Sequence, residues 1–351
     1  MHEIYRKDIE AVCERIGDAS ALRGRRVLIT GVTGMIGSCL ADALTALNDA
    51  QGLGMTLFGV SRRPQGHAAR FPGVNLVGAD LAAPTDALPE ADVIVHAASN
   101  AHPAAFSADP VGTMLGNLLG TRALLELARR TEGSRFMFIS TGEIYGENPA
   151  ITDGFSETDF GRVDPMNPRS CYPESKRAAE TLCASYVRQY GVGAVVARLS
   201  YVYGPTLSDA NTRADAQFLR KALAGEDIVL KSPGAQVRSY TYITDAVAGL
   251  LAILLRGEAG QAYNVASRLG TISIRGYAET LARLAGVGVR FDLPSDQEQR
   301  GYSVVTRAVQ KPDKLEALGW RADVDVEEGL RRTLLIKRGE ASGAAAKELE
   351  R

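Results

Sequence analysis

The chain has 351 residues, 45% of them hydrophobic, with 40 basic and 41 acidic side chains for a formal net charge of -1. That length and apolar content allow one large α/β domain or two smaller ones, and the balanced charge leaves no basic excess to recruit nucleic acid or an anionic membrane. Four cysteines (Cys13, Cys39, Cys171, Cys183) without a CxxC pair, and four histidines without metal-ligand spacing, point to a reduced cytoplasmic protein with no structural metal.

The N-terminal stretch MHEIYRKDIEAVCERIG is charged and lacks the apolar centre of a signal peptide, and no apolar run reaches the roughly 18 residues of a membrane span. A soluble protein is expected. Ile4, Ile9, Val12 and Ile16 recur at helical spacing, which predicts a helix from residue 3 to about 17 within an accessory extension, 1–24. From Arg25 the segments RRVLIT, TLFGV, VNLVGA, DVIVHAA, RFMFIS and GAVVARLS read as strands alternating with helical patterns. Their unbroken hydrophobicity marks a parallel sheet buried on both faces, a doubly wound Rossmann-like α/β domain over 25–205. Beyond YVYGP the rhythm shortens. AQFLRKALAG and DAVAGLLAILL read as helices, and DIVLK, RSYTYI and AYNVAS as strands, of a smaller mixed α/β domain over 206–338, with some segments crossing between the two. The polar Ala/Gly-rich end, 339–351, is expected to be a flexible tail.

Three stretches carry chemistry. In GVTGMIG, between a strand and an amphipathic segment, Gly31 permits a tight turn, Gly34 lets the backbone approach a pyrophosphate, and Gly37 lets the helix pack closely, with Met35 and Ile36 opening that helix. Alone, the triplet could merely be a tight strand-to-helix turn; its context favours a dinucleotide. CYPESKR places Tyr172 and Lys176 four residues apart on one helix face, where the ammonium favours the phenolate and makes the tyrosine a usable general base. STGEIYG puts Ser140, Thr141, Gly142 and Glu143 at a strand's carboxyl end, the ligand edge of an open α/β sheet.

In this order and spacing the stretches resemble the extended short-chain dehydrogenase/reductase family, in its epimerase/dehydratase branch acting on nucleotide sugars, over about residues 25 to 335. RSCYPESKRAAET and STGE are particularly similar to the UDP-glucuronate decarboxylases. The resemblance implies that Asp80 with Leu81, the loop Ala97, Ala98 and Ser99, Ser61 and Arg62, Asn117 and Ser140 join Gly31, Gly34, Met35, Ile36, Gly37, Tyr172 and Lys176 around a nicotinamide dinucleotide. It implies a nucleotide sugar held by Thr141, Gly142, Glu143, Arg169, Tyr201, Arg238 and Arg307 in the smaller domain. Tyr172 would take the proton of the sugar's C4 hydroxyl while hydride passes to the cofactor, Lys176 would tune Tyr172, and Thr141 would hydrogen-bond the reacting oxygen. Helices near 108–130 and 172–190 would pair in a homodimer, with Leu115, Leu118, Leu124 and Leu125 on the first.

Departures from the family pattern shape the expectation. The strand TLFGV is followed by Ser61, Arg62 and Arg63 rather than by the acid that binds the ribose of NAD; NAD is expected, with NADP open because of Arg62 and Arg63. Gly142 stands where dehydratases carry an aspartate, which removes their proton donor and leaves room for a ketone to turn over. Tyr201 replaces the usual asparagine. The first expectation is therefore a 4-epimerase, with decarboxylation of a nucleotide-linked uronic acid as the alternative. A dehydratase, an NADPH-dependent reductase and a non-catalytic dinucleotide sensor are further alternatives.

Overall fold

A computed structural model describes residues 1–82, 88–208, 211–292 and 306–349, with side chains described to residue 341. Thirteen strands are described: β1 (Arg26–Thr30), β2 (Thr56–Ser61), β3 (Val74–Gly78), β4 (Val93–His96), β5 (Arg135–Thr141), β6 (Gly193–Leu199), β7 (Tyr201–Tyr203), β8 (Ile228–Leu230), β9 (Val237–Tyr242), β10 (Ala262–Val265), β11 (Thr271–Ser273), β12 (Val289–Phe291) and β13 (Arg307–Ala308). The helices are α1 (Glu3–Ile16), α2 (Met35–Gln51), α3 (Pro103–Ala108), α4 (Pro110–Arg130), α5 (Cys171–Tyr190), α6 (Ala214–Leu223), α7 (Ile243–Arg256), α8 (Ile274–Ala285), α9 (Asp313–Glu316) and α10 (Val326–Leu349).

The apolar runs form a seven-stranded parallel sheet in the order β3-β2-β1-β4-β5-β6-β10. Val27, Leu28 and Ile29 of β1 are fully buried because helices cover both faces. On one face Leu28, Ile94, Phe136 and Phe138 pack with Leu124, Leu125 and Ala128 of α4 and Ala179 and Cys183 of α5. On the other, Val27, Ile29, Val95 and Met137 pack with α2 and α7. This is the doubly wound Rossmann-like fold.

Three placements differ from the sequence reading. AYNVAS, assigned to the smaller domain, is the sheet's edge strand β10, because Ala262–Val265 pair in parallel with Val196–Leu199 of β6. Helix α1 is no accessory: Tyr5, Ile9, Val12 and Ile16 are buried in the main core, and Ile4 is only half-buried. Its Asp8 accepts from Tyr242 at 2.8 Å and Arg332 at 2.6 Å, and its Arg15 pairs with Asp245 at 2.6 Å. The expected tail from 339 carries α10 onward as helical backbone to Leu349, while its side chains beyond 341 and residues 350–351 lie outside the described residues.

The remaining strands cap the sheet's carboxyl edge. β9 pairs with β11, β13 and β7, and β8 with β12. Tyr201, Tyr203, Tyr240, Tyr242 and Tyr277 stack edge-on and face-on at their centre.

Candidate active site

The chain passes from β1 outward to β2 and β3, then returns to β4 beside β1, so the carboxyl ends of β1 and β4 part to open a crevice. Gly31 leaves β1 at φ 67°, where a Cβ would lie 2.8 Å from Ala98 Cα. At Gly37 a Cβ would lie 2.3 Å from the Gly31 carbonyl oxygen, so α2 can settle on the loop only without a side chain there. Gly34, the N-cap of α2, supplies no capping side chain. First-turn amides have no acceptor within their own helix, and Met35, Ile36 and Gly37 stand in the cavity wall, which suits a pyrophosphate.

The cavity has a volume of about 450 Å³ and runs from this loop to the ends of β5 and β6. Helix α5 opens at Cys171 after the turn Pro168–Ser170, with Pro173 confined to its first turn. That start puts Tyr172 and Lys176 on the buried face, both lining the cavity. The Tyr172 ring stacks on Phe106 of α3 with centroids 5.3 Å apart. Burial and nearby Glu143 push its phenol well above the ordinary tyrosine range, while Thr141 and Arg213 pull the other way. Lys176 donates to the Ile139 carbonyl at 2.8 Å and sits 4.6 Å from the Phe138 ring centroid. Burial pulls its pKa down to about 7.

The folded chain thus prefers the neutral Lys176 amine. The cost of charging it is absent above its ordinary value of 10.5 and complete below about 7. Protein stripped of dinucleotide is therefore expected to gain stability as pH rises from about 7 to 10.5, and Lys176→Met to lose that part of the slope. Thermal melts of both proteins across this window check it; parallel curves would refute it.

Of the residues singled out in the sequence, Gly31, Gly34, Met35, Ile36, Gly37, Ala97, Ser99, Ser140, Thr141, Gly142, Glu143, Arg169, Tyr172, Lys176 and Tyr201 line this one cavity. Glu143 is held by Arg169 at 3.3 Å, and Arg169 lies over Phe106. Ser140 donates to Glu180 at 2.5 Å, which Arg198 clamps at 2.8 Å. Asn117 lies behind the wall, bridging Ser99 and Ser175 at 2.8 and 2.9 Å, and so ties the loop after β4 to α5 beneath Tyr172. Ala98 donates its amide to Thr30. Ser61, Arg62, Asp80 and Leu81 stand outside the cavity lining, at and beyond the ends of β2 and β3; Arg62 and Arg63 are exposed, and Asp80 accepts from the Ala82 amide. Arg238 is buried behind Tyr201, 5.5 Å from its ring centroid, and Arg307 is on the neighbouring strand β13; neither lines the cavity.

Several wall residues carry no motif in the sequence. Arg213, paired with Asp215 and donating to Val202 O at 2.6 Å, carries positive charge into the cavity. His102 meets Thr212 at 3.3 Å and joins the two sides of the cleft. Gln310 corrects the expectation at Gly142: a Cβ there would lie 2.6 Å from Gln310 Oε1, so the supposed free room is taken by the Gln310 amide. Its only sequence signal is position, three residues after Arg307.

The model of the NAD dependent epimerase/dehydratase family matches residues 27–266. The chain is 34% identical over 313 residues to UDP-glucuronic acid decarboxylase 1 of Xenopus tropicalis, covering 88% of this chain and 71% of that protein. It is 34% identical, also over 313 residues, to UDP-glucuronic acid decarboxylase 6 of Arabidopsis thaliana, covering 87% and 86%. The solved UDP-glucose 4-epimerase of Thermus thermophilus, a complex with NAD, superposes with a TM-score of 0.75 at 30% identity, covering 90% of this chain and 99% of that one.

Proposed function

The chain belongs to the NAD dependent epimerase/dehydratase family and is a nucleotide-sugar enzyme of that type, and from that premise we propose that it decarboxylates UDP-glucuronate through a transient ketone at C4. The kinship to UDP-glucuronic acid decarboxylases along nearly the whole chain carries this reading. It reverses the order expected from the sequence, where room beside Gly142 favoured inversion; with Gln310 in that space the argument for inversion falls away. Arg162, Arg169 and Arg213 offer hydrogen-bond donors to an anionic sugar, in a wall that also holds the acids Glu143, Glu147 and Asp164.

The cofactor is proposed to be NAD, its pyrophosphate on the amides of Met35, Ile36 and Gly37 and its nicotinamide ribose near Tyr172 and Lys176; when bound it supplies a hydride acceptor at C4 and later returns that hydride. Tyr172, its phenolate favoured by a charged Lys176 and a bound nicotinamide cation beside it, takes the C4 hydroxyl proton while Thr141 holds the oxygen as it becomes a carbonyl. The carboxylate is then β to a ketone. As the C5–C6 bond breaks and carbon dioxide leaves, its electron pair moves onto the C4 oxygen, where Tyr172 and Thr141 donate to the growing charge. Water supplies the proton that adds at C5, and Tyr172 returns its own proton to the C4 oxygen. Glu143, fixed by Arg169, keeps the sugar in the orientation that cleavage needs.

The test is wild-type protein with UDP-glucuronate. Release of carbon dioxide with formation of a UDP-pentose is expected, and Glu143→Gln should cut the rate severely while leaving nucleotide affinity nearly intact. Inversion of UDP-glucose at C4 without any carbon dioxide from the uronate would restore the epimerase reading. Assembly is part of the same proposal. Leu124 and Leu125, expected at a dimer interface, are fully buried in their own core, whereas Val111, Met114, Leu115 and Leu119 leave an exposed apolar face on α4 for pairing with a second copy.

A further inference from the structure

Gln310 is buried, lines the cavity, and is fixed at its backbone, whose N–H donates a hydrogen bond to Ser239 Oγ at 3.2 Å. The orientation of its side-chain amide follows from its neighbours. Asn264 Nδ2 donates to the carbonyls of Phe155 at 3.0 Å and Lys311 at 3.1 Å, so its Oδ1 must be the atom that accepts from the Tyr145 hydroxyl at 2.6 Å. The Gln310 atom 3.0 Å from that Oδ1 must therefore be a donor, Nε2, and its second hydrogen goes to the Arg198 carbonyl at 3.2 Å. Both amide hydrogens are used. Oε1 is left pointing at Gly142, and no donor among the described residues meets it.

The cavity wall next to Thr141 thus presents a fixed acceptor with no donor beside it. A buried acceptor left unmatched when ligand displaces water is costly, so the facing substituent must donate. With the C4 oxygen on Thr141 and Tyr172, the substituents one carbon away are the C3 hydroxyl and C6. In a uronate C6 is a carboxylate, an acceptor only, which Oε1 repels; the C3 hydroxyl is the group that fits.

We propose that Gln310 is a specificity-determining residue whose side-chain carbonyl, facing Gly142, accepts a hydrogen bond from the C3 hydroxyl of the bound sugar. The proposal rests on the reading above in placing the C4 oxygen at Thr141 and Tyr172. Gly142 is its complement, since a side chain there would displace the amide.

Calorimetric binding in a Tyr172→Phe background, where turnover is slowed by about 10² to 10⁴-fold, compares UDP-glucuronate with its 3-deoxy counterpart, UDP-glucose with its 3-deoxy counterpart, and UDP alone. The 3-deoxy sugars are expected to bind about tenfold more weakly than their parents. Adding Gln310→Met, close in size but without the acceptor, should bring parent and 3-deoxy sugar to equal affinity and leave UDP unchanged. Equal affinity of both pairs before Gln310 is altered, or a loss in Gln310→Met that is the same for UDP, overturns the proposal. If Gln310→Met fails to fold, the analogue comparison decides alone. Failure of wild-type enzyme to release carbon dioxide, with C3 discrimination intact for UDP-glucose, would remove the decarboxylase reading and leave the role of Gln310 standing.

Discussion

Tyr172→Phe is expected to abolish most turnover, by about 10² to 10⁴-fold, while dinucleotide and nucleotide sugar still bind. The ring would keep its stack on Phe106 and its burial, so the helix and cavity should stand; only the hydroxyl that exchanges a proton with the C4 oxygen is lost. Thr141 cannot replace it, because its hydroxyl is far too weak an acid and base at neutral pH. Carbon dioxide release sets the rate, and dinucleotide retained through purification sets the binding control. A variant within tenfold of wild type would show that another group moves the proton.

The second large effect is at the glycine loop. Gly37→Ala is expected to yield protein that purifies with little dinucleotide and melts earlier, at a cost of about 1–3 kcal/mol for overpacking. The added methyl would lie 2.3 Å from the Gly31 oxygen and 2.8 Å from its carbonyl carbon, and both are backbone, so relief requires moving α2 off the loop. Gly34→Ala is the milder control, since its Cβ would meet the same oxygen at 3.1 Å. Nucleotide released on denaturation is the readout. Full occupancy in Gly37→Ala would mean that the loop and helix yield more easily than their packing implies.

The central strands were legible because they are written locally: β1, β4, β5 and β6 are apolar runs buried on both faces, which leaves no other use for them. The glycine loop, Thr141 and Glu143, and the Tyr172–Lys176 pair were legible for a related reason, since each is a short motif whose geometry depends on spacing alone. What stayed hidden depends on which distant segments meet. Nothing in QKPD announces that Gln310 docks beside Gly142; that follows from the bridge between Phe155 and Gln310, a register set by the surrounding fold. AYNVAS is a good strand in either domain, and only its pairing with β6 decides. For α1 the apolar spacing was visible but not its partners, and two of its charged residues, Asp8 and Arg15, tie it down.

Those ties have a consequence for the nascent chain. Asp8 and Arg332 are 324 residues apart, Asp8 and Tyr242 234, and Arg15 and Asp245 230. Helix α1 meets Asp42 of α2 early, but at roughly 5–20 residues per second Tyr242 and Asp245 follow it only after about 12 to 47 s, and Arg332 after about 16 to 65 s. Before α7 is made the stripe Tyr5, Ile9, Val12 and Ile16 is only partly covered, and Asp8 waits longer still for Arg332. This face of the core is therefore sealed only after α7 and α10 have been made, and until then α1 can engage non-native apolar partners.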